Sequence, residues 1–327
     1  MIEWDEVEEN DSYKNLLLGN GFSINISDRF NYKNLLSEAI RLTEAGEISI
    51  YPDTFKIFKE LDTTNFEEVL KIYHHAYIVH NYNKPAIETA YKKLQEGLFS
   101  TIRKRHVPKE NTPLIKIYDR IKLYRHLFTT NYDLIPYWSF FENRIGDMKD
   151  FFWGGGERVS FDKNSTEVYG GNETLVYYLH GALHLEVNEA GRVQKREIAR
   201  TLEDEIDKLK SSFSANSGKY PLFITEGKSD QKMRKIRSND YLSFCYEQLK
   251  KIRGNLIIYG HSLSEEYDKH IVDAINQNSE LKKIAIGIYP FQSGLEIDEI
   301  EASMRRRFEL KEVVFFNSIS HPLNVNI

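Results

Sequence analysis

One cysteine, Cys245, stands among 327 residues. An intrachain disulfide is therefore excluded, and so is a zinc module of four cysteines. An excess of positive charge is also missing, because 44 Lys and Arg stand against 49 Asp and Glu, a formal net charge of −5. That balance does not suggest general nucleic-acid binding. No apolar run approaches a membrane span, and the opening "MIEWDEVEEN" is acidic, unlike a signal peptide. A cytoplasmic chain without a membrane partner is the expectation. Internal repeats and low-complexity segments are absent. What is present is a composition of 41% hydrophobic and 28% charged residues, with 20 Tyr and 19 Phe, which reads as a soluble globular protein whose core packs many aromatic rings.

Short apolar runs predict strands at 15–18, 123–129, 174–179, 220–225, 254–259, 282–290 and 311–316. Helical patterns fall near 33–45, 54–61, 65–81, 84–106, 134–145, 197–212, 239–252, 265–277 and 294–307. The pieces "DFFWGGG", "RVSF" and "TEVYG" suggest further short strands joined by turns, with the glycines 154–156 in one of the turns. Strands alternating with helices predict an α/β fold, a Rossmann-like parallel sheet with helices on both faces. The helical stretch of about 27–110 interrupts the sheet after its first strand. It is expected to form a smaller, lid-like subdomain within a single domain spanning 1–327.

In such sheets ligands sit beyond the carboxyl ends of the strands. Four motifs fall at such ends. In "LLLGNGFSIN" the glycines Gly19 and Gly21 allow a tight turn and a close backbone approach to a diphosphate, with Asn20 and Ser23 alongside. Ile24 occupies the place of the third glycine of a dehydrogenase fingerprint, and no second strand ending in an acid follows, so a dehydrogenase is disfavoured. Taken alone, the pair of glycines also fits an ordinary strand-to-loop turn. "TTNYD" brings Thr129, Asn131 and Asp133 to the next end, where Asn and Asp could instead cap the helix from Leu134. "YLHG" brings His180 and Gly181, and a satisfied core histidine is the plainer alternative. His184 stands four residues on, but "HGALH" has Gly181 where a zinc protease needs glutamate, so no metal is expected. "GHSL" brings Gly260, Ser262 and Leu263, flanked by His261 and His270.

Other polar features have plain explanations. His74, His75 and His80 lie on a helical pattern and read as surface or packing residues. The basic run Lys228, Lys232, Arg234, Lys235 and Arg237 reads as a solvated helix face, with contact to a phosphate or an acidic partner as the alternative. The six acids among residues 1–11 read as a polar tail or a docking surface.

The ordered set G-x-G-x-S, T-x-N-x-D, H-G and G-x-S-L resembles the sirtuin family, and most of all the bacterial sirtuin-like NADases of antiphage defence. "YPLFITEGKSDQKMRKIRSNDYLSFCYEQL", followed by "IIYGHSLSEEYDKHI", is similar to an uncharacterised-domain branch of that group. The likeness runs from Gly19 to about Tyr289. It implies NAD as the substrate, with Gly19, Asn20, Gly21 and Ser23 holding the diphosphate and Thr129 in the cofactor-binding set. Asn131 would position the nicotinamide ribose or a water, Asp133 the loop and the carboxamide side of the pocket. His180 would act as general base, and Gly260 and Ser262 would contact the adenosine half.

The chemistry agrees with these residue types. Cleaving the nicotinamide–ribose bond passes through an oxocarbenium-like state, as glycoside hydrolysis does. A neutral imidazole can accept a proton at cytoplasmic pH, and an asparagine can hold a water without adding charge. Deacetylating sirtuins usually carry a four-cysteine zinc module, which one cysteine rules out here, and the 49-residue interval from Asn131 to His180 is long for a compact deacetylase. Hydrolysis of NAD to nicotinamide and ADP-ribose is therefore favoured. An unrestrained NADase would harm its own cell, so the resemblance also implies restraint, by a homo-oligomer, a regulatory partner protein or a nucleotide signal. A non-catalytic NAD or ADP-ribose sensor, an ADP-ribosyltransferase and a deacylase stay open as alternatives.

Overall fold

A computed structural model describes the chain apart from residues 11, 31–34, 65, 153–157, 165–172, 197–218, 225–227, 291–293 and 326–327. The expected helix at 197–212, the strand-like "TEVYG" and the glycines 154–156 lie outside the described residues. In chain order the strands are β1 (Tyr13–Leu18), β2 (His126–Thr129), β3 (Met148–Lys149) and β4 (Arg158–Ser160). Then come β5 (Thr174–Tyr178), β6 (Gly181–Val187), β7 (Val193–Arg196) and β8 (Tyr220–Phe223). β9 (Asn255–Tyr259), β10 (Lys283–Ile288) and β11 (Glu312–Asn317) complete the set.

Seven strands form one sheet in the order β11-β10-β9-β1-β2-β5-β3, and every pairing in it is parallel. The fold is α/β and Rossmann-like. Its inner strands are continuous apolar runs because helices cover both faces. Leu16, Leu17 and Leu18 of β1 and Leu256 to Tyr259 of β9 are all fully buried. From β1 the sheet grows one way through β2 and β5, and the later strands β9, β10 and β11 add on the other side. The direction of growth therefore reverses between β1 and β9, where such sheets open a crevice beyond their carboxyl ends. The four strands that end in motifs, β9, β1, β2 and β5, are neighbours.

Between β1 and β2 the described elements are all helical, from Asn20–Ile26 to Leu114–Ile121, so the insertion after the first strand is present and longer than the sequence suggested. Its helix Phe66–Val79 packs against β8, and Gln231 bonds the backbone of Asp62. The strand expected from Leu123 starts only at His126, because the short helix Leu114–Ile121 and its closing turn occupy the preceding residues. The acidic N-terminus is not a free tail. Trp4–Asn10 is a helix whose Trp4 and Val7, three apart, are buried, with Trp4 packed edge-on against Phe316 and His321.

In a second sheet, antiparallel and ordered β4-β7-β6-β8, β4 and β8 fall on runs expected to be strands, whereas β6 and β7 lie where no strand was expected. Its strand β6 starts directly after His180. Gly181 has φ +75°, and a Cβ there would lie 2.1 Å from the Leu222 carbonyl oxygen, so the chain can turn out of the parallel sheet only through glycine. Among the described residues no helix is long and apolar enough to cross a membrane.

Candidate functional site

A cavity of about 880 Å³ opens beyond the carboxyl ends of these strands. Of the ten residues expected at the site, Asn20, Gly21, Asn131, Asp133, His180, Gly260 and Ser262 line it. Gly19, Ser23 and Thr129 do not; they stand behind the wall.

The glycine turn has a different reason from the one its sequence suggested. The Gly19 N–H donates to the Tyr259 carbonyl at 3.0 Å, Gly21 N–H to the Gly260 carbonyl at 2.7 Å, and Phe22 N–H to the Gly19 carbonyl at 3.0 Å. A Cβ on Gly19 would lie 2.6 Å from the Gly260 carbonyl oxygen and from His261 Cα, and one on Gly21 would lie 2.8 Å from Gly260 Cα. Gly260 returns the constraint: its φ is +66°, and a Cβ there would meet Phe22 N at 2.3 Å. The glycines thus let two strand-end turns press together across the crevice. The Gly19 and Gly21 amides, expected to face a diphosphate, face the protein instead.

Ser23 is corrected for a related reason. It is fully buried and holds the site together from behind. Asn131 Nδ2 donates to the Gly19 carbonyl at 3.0 Å and to Ser23 Oγ at 2.9 Å, and Ser23 Oγ donates to Asp133 Oδ2 at 2.6 Å. Thr129 Oγ1 accepts from Asn131 N–H at 3.0 Å, so Thr129 also supports Asn131 and does not line the cavity. Both hydrogens of the Asn131 amide are occupied, and the Gly19 carbonyl fixes which atom is nitrogen because it can only accept. Asn131 therefore offers the cavity its Oδ1, an acceptor.

Asp133 Oδ1 also accepts from Ile135 N–H at 3.0 Å, the first amide of the helix Ile135–Asn143. Burial holds its carboxyl above the usual carboxylate range, against the opposing pull of His106 and the Ser23 hydroxyl. His106 closes the same loop. Its Nε2 accepts from Leu134 N–H at 3.1 Å, so its Nδ1 carries the proton donated to the Val107 carbonyl at 2.8 Å. Burial pushes its pKa down, in keeping with that neutral ring.

His180, at the end of β5, meets a second histidine. Its Nε2 lies 2.9 Å from His270 Nε2, and His270 Nδ1 lies 2.9 Å from Ser229 Oγ, which also accepts the His270 backbone N–H at 2.8 Å. With Nε2 engaged, Nδ1 is the nitrogen left to His180 for the cavity. Burial first, then the Lys232 charge, push both rings down, His180 well below the ordinary histidine value and His270 to about 3. Lys232 itself is buried, 3.4 Å from Asp268 Oδ1. Asp268 Oδ2 accepts from Ser264 N–H at 3.0 Å and from Ser262 Oγ at 3.4 Å. His261 Nδ1 accepts from Leu263 N–H at 3.1 Å, at a turn where Leu263 itself has φ +49°. His180, Lys232, Asp268 and His261 thus form one polar wall, with His270 behind it.

A family model, Domain of unknown function (DUF4917), matches residues 16–323. The chain belongs to the DUF4917 family. No curated protein matches its sequence.

In this DUF4917 domain the polar wall is what the sequence reading missed. Ser229 and Lys232 lie in the basic run read as a solvated face. Along the helix Ser229–Arg237 the buried residues are Ser229, Lys232 and Ile236, a spacing of three and four that marks one inward stripe. Asp268 and His270 lie on the inward face of the helix Glu265–Gln277. His184 is not part of the site. It is fully buried between the rings of Tyr137 and Tyr178, at 4.8 and 4.9 Å. No group of three or more His, Cys, Asp or Glu that could hold a metal occurs among the described residues. The far end of the cavity is apolar, walled by Ile286, Ile288, Ile300 and Met304 from β10 and the helix Gly294–Arg307.

Proposed function

We propose that this DUF4917 chain is an NAD glycohydrolase that splits NAD into nicotinamide and ADP-ribose. The observation that carries the reading is the meeting of Asn131 and His180 in one cavity with a polar wall at one end and an apolar wall at the other. A volume of about 880 Å³ is in the range of ligand sites. The apolar end suits a purine ring, and the polar end suits ribose and the departing nicotinamide.

In the proposed step the C1′–N bond breaks and its electron pair leaves with the neutral nicotinamide. The Asn131 Oδ1 dipole faces the positive charge that grows on the ribose and accepts a hydrogen bond from the attacking water. Water oxygen bonds to C1′, and its proton passes to neutral His180 and then to solvent. The low basicity of His180 is tolerable, because water attacking a carbon this electron-poor needs little help. His270 holds the imidazole from behind.

Restraint of the activity by self-assembly, a partner protein or a nucleotide signal, and a role in antiphage defence, belong to the same proposal and rest on the sirtuin-like resemblance. A second reading, a non-catalytic NAD or ADP-ribose sensor, is favoured by one feature: the His180 imidazole is almost closed off and already hydrogen-bonded to His270.

Mass spectrometry of NAD incubated with the protein separates these readings. Equal amounts of nicotinamide and ADP-ribose are expected, with turnover lowered about a hundredfold or more in Asn131→Ala and His180→Ala. NAD bound tightly but left intact under every condition would replace hydrolysis with sensing. Label transferred from NAD to a macromolecule would replace it with ADP-ribosyl transfer.

A further inference from the structure

At the opposite end of the sheet lies a second cavity, of about 640 Å³. Five of its ten lining residues are cations, Lys14, Lys122, Arg125, Lys251 and Arg253, and none is an acid, in a chain whose formal charge is −5. We propose that this groove binds a nucleotide, holding its phosphates with these cations. The proposal is independent of the NAD reading.

Three of the cations are fixed side by side by the backbone. Lys14 lies in β1 and Arg125 directly precedes β2, and the Lys14 carbonyl accepts the Arg125 N–H at 2.8 Å. Asn15 Nδ2 donates at 2.9 Å to the carbonyls of Arg253 and Asn255, which ties the start of β9 to the same edge. Lys122 and Lys251 come from the ends of the helices Leu114–Ile121 and Asp240–Leu249.

Cations at helix carboxyl ends commonly offset the helix dipole, and that accounts for Lys122 and Lys251. It does not account for Lys14 or Arg253, which stand at strand starts. Lys122 has a partner in Asp119 at 2.6 Å, and Arg125 donates to the Glu173 carbonyl at 2.8 Å. The exposed side chains of Lys14, Lys251 and Arg253 make no ion pair or hydrogen bond with the described residues. Converging unpaired cations in a concave site bind phosphate far better than scattered ones.

The wall of the groove favours a nucleotide over bare phosphate. Both Asn15 amide hydrogens are occupied, so Asn15 Oδ1 accepts from His126 Nδ1–H at 2.8 Å. His126 then keeps Nε2 as an acceptor for an amino or hydroxyl hydrogen, and the exposed Leu123 offers apolar surface to a base. The cavity is sized for one small ligand, not for an extended strand.

Isothermal titration of the full chain with ATP, inorganic triphosphate and a single-stranded oligonucleotide tests the assignment. One saturable ATP site is expected, with triphosphate weaker. Lys14→Ala/Arg253→Ala should weaken ATP about tenfold or more, while Lys56→Ala/Lys92→Ala, which removes cations elsewhere, should leave it unchanged. Should the groove variant lose its fold, Lys251→Ala is read instead, with a fall of about threefold. Unchanged ATP affinity in the folded groove variant overturns the proposal, as does the absence of a saturable site. A loss in Asn131→Ala alone would assign ATP to the carboxyl-end cavity and also overturns it. Triphosphate as tight as ATP would remove the nucleoside from the assignment, and an oligonucleotide tighter than ATP would make the groove a nucleic-acid contact.

Discussion

Replacing Ser23 by alanine separates a residue that touches ligand from one that holds the site together. Ser23 Oγ accepts one Asn131 amide hydrogen at 2.9 Å and donates to Asp133 Oδ2 at 2.6 Å, with no exposure to solvent. Ser23→Ala leaves two buried polar groups without that partner. Each such group costs about 1–3 kcal/mol, and the Asp133 carboxyl retains its bond to Ile135 N–H, so the combined loss is about 2–4 kcal/mol. For a chain of this size that lowers Tm by about 3–6 °C in scanning calorimetry. The deficit depends on pH with a definite sign. Burial holds the folded-state pKa of Asp133 above its unfolded value, so the fold gains stability as pH falls through that raised pKa, and removing the hydroxyl raises it further. The variant is therefore furthest below wild type above the Asp133 titration and recovers ground as the pH is lowered through it. In the proposed NAD reaction kcat should fall about tenfold, because Asn131 loses one of its two anchors, while KM stays near the wild-type value. An unchanged Tm with a raised KM would refute the reasoning and restore Ser23 as a diphosphate contact.

Gly260→Ala should cost about 2–4 kcal/mol, from a left-handed φ of +66° and a Cβ only 2.3 Å from Phe22 N, and urea unfolding would show it as a lower midpoint. Glu38→Gln removes a carboxylate held down to about 2, chiefly by its hydrogen bond from Arg41 and also by Arg105. Because Arg41 is well exposed the loss at neutral pH is only about 1 kcal/mol; wild type should keep that advantage above pH 4.5 and lose it as pH falls towards 2, which paired thermal melts would resolve. Lys232→Met removes a charge that, after burial, pushes His180, His261 and His270 down. Their titration midpoints in histidine-ring NMR should all move up, and unmoved midpoints would place the Lys232 charge out of reach of the histidine wall.

The parallel sheet could be read because each inner strand is a short run of apolar residues ending at a glycine or a polar turn. The helices Glu265–Gln277 and Gly294–Arg307 fall at their expected limits, and Ser264 Oγ caps the first of them. The antiparallel sheet was not readable as a sheet. β4, β7 and β8 are three or four residues long, and their partners are set by contacts such as Gly181 with Phe223, far apart in sequence. The helix Trp4–Asn10 was hidden for another reason: its acids dominate its composition, while Trp4 and Val7 carry the inward stripe.

The site shows the same division between local and distant causes. That Gly19, Gly21, Asn131, His180 and Gly260 belong to one place followed from their positions at strand ends, and β9, β1, β2 and β5 are indeed adjacent. Why each residue type is needed did not follow, because the reason lies across the crevice. G-x-G and G-x-S are two halves of one contact: Gly21 N–H reaches the Gly260 carbonyl, and side chains on Gly19, Gly21 or Gly260 would collide with the facing turn. The glycines are accounted for by packing alone, so their presence says nothing about a phosphate. The same step moves Ser23 and Thr129 behind the wall as supports of Asn131. What remains facing the cavity is Asn131 Oδ1, Asp133, His180 and the polar wall of Lys232, Asp268 and His261, and any chemistry of this site must be argued from those groups.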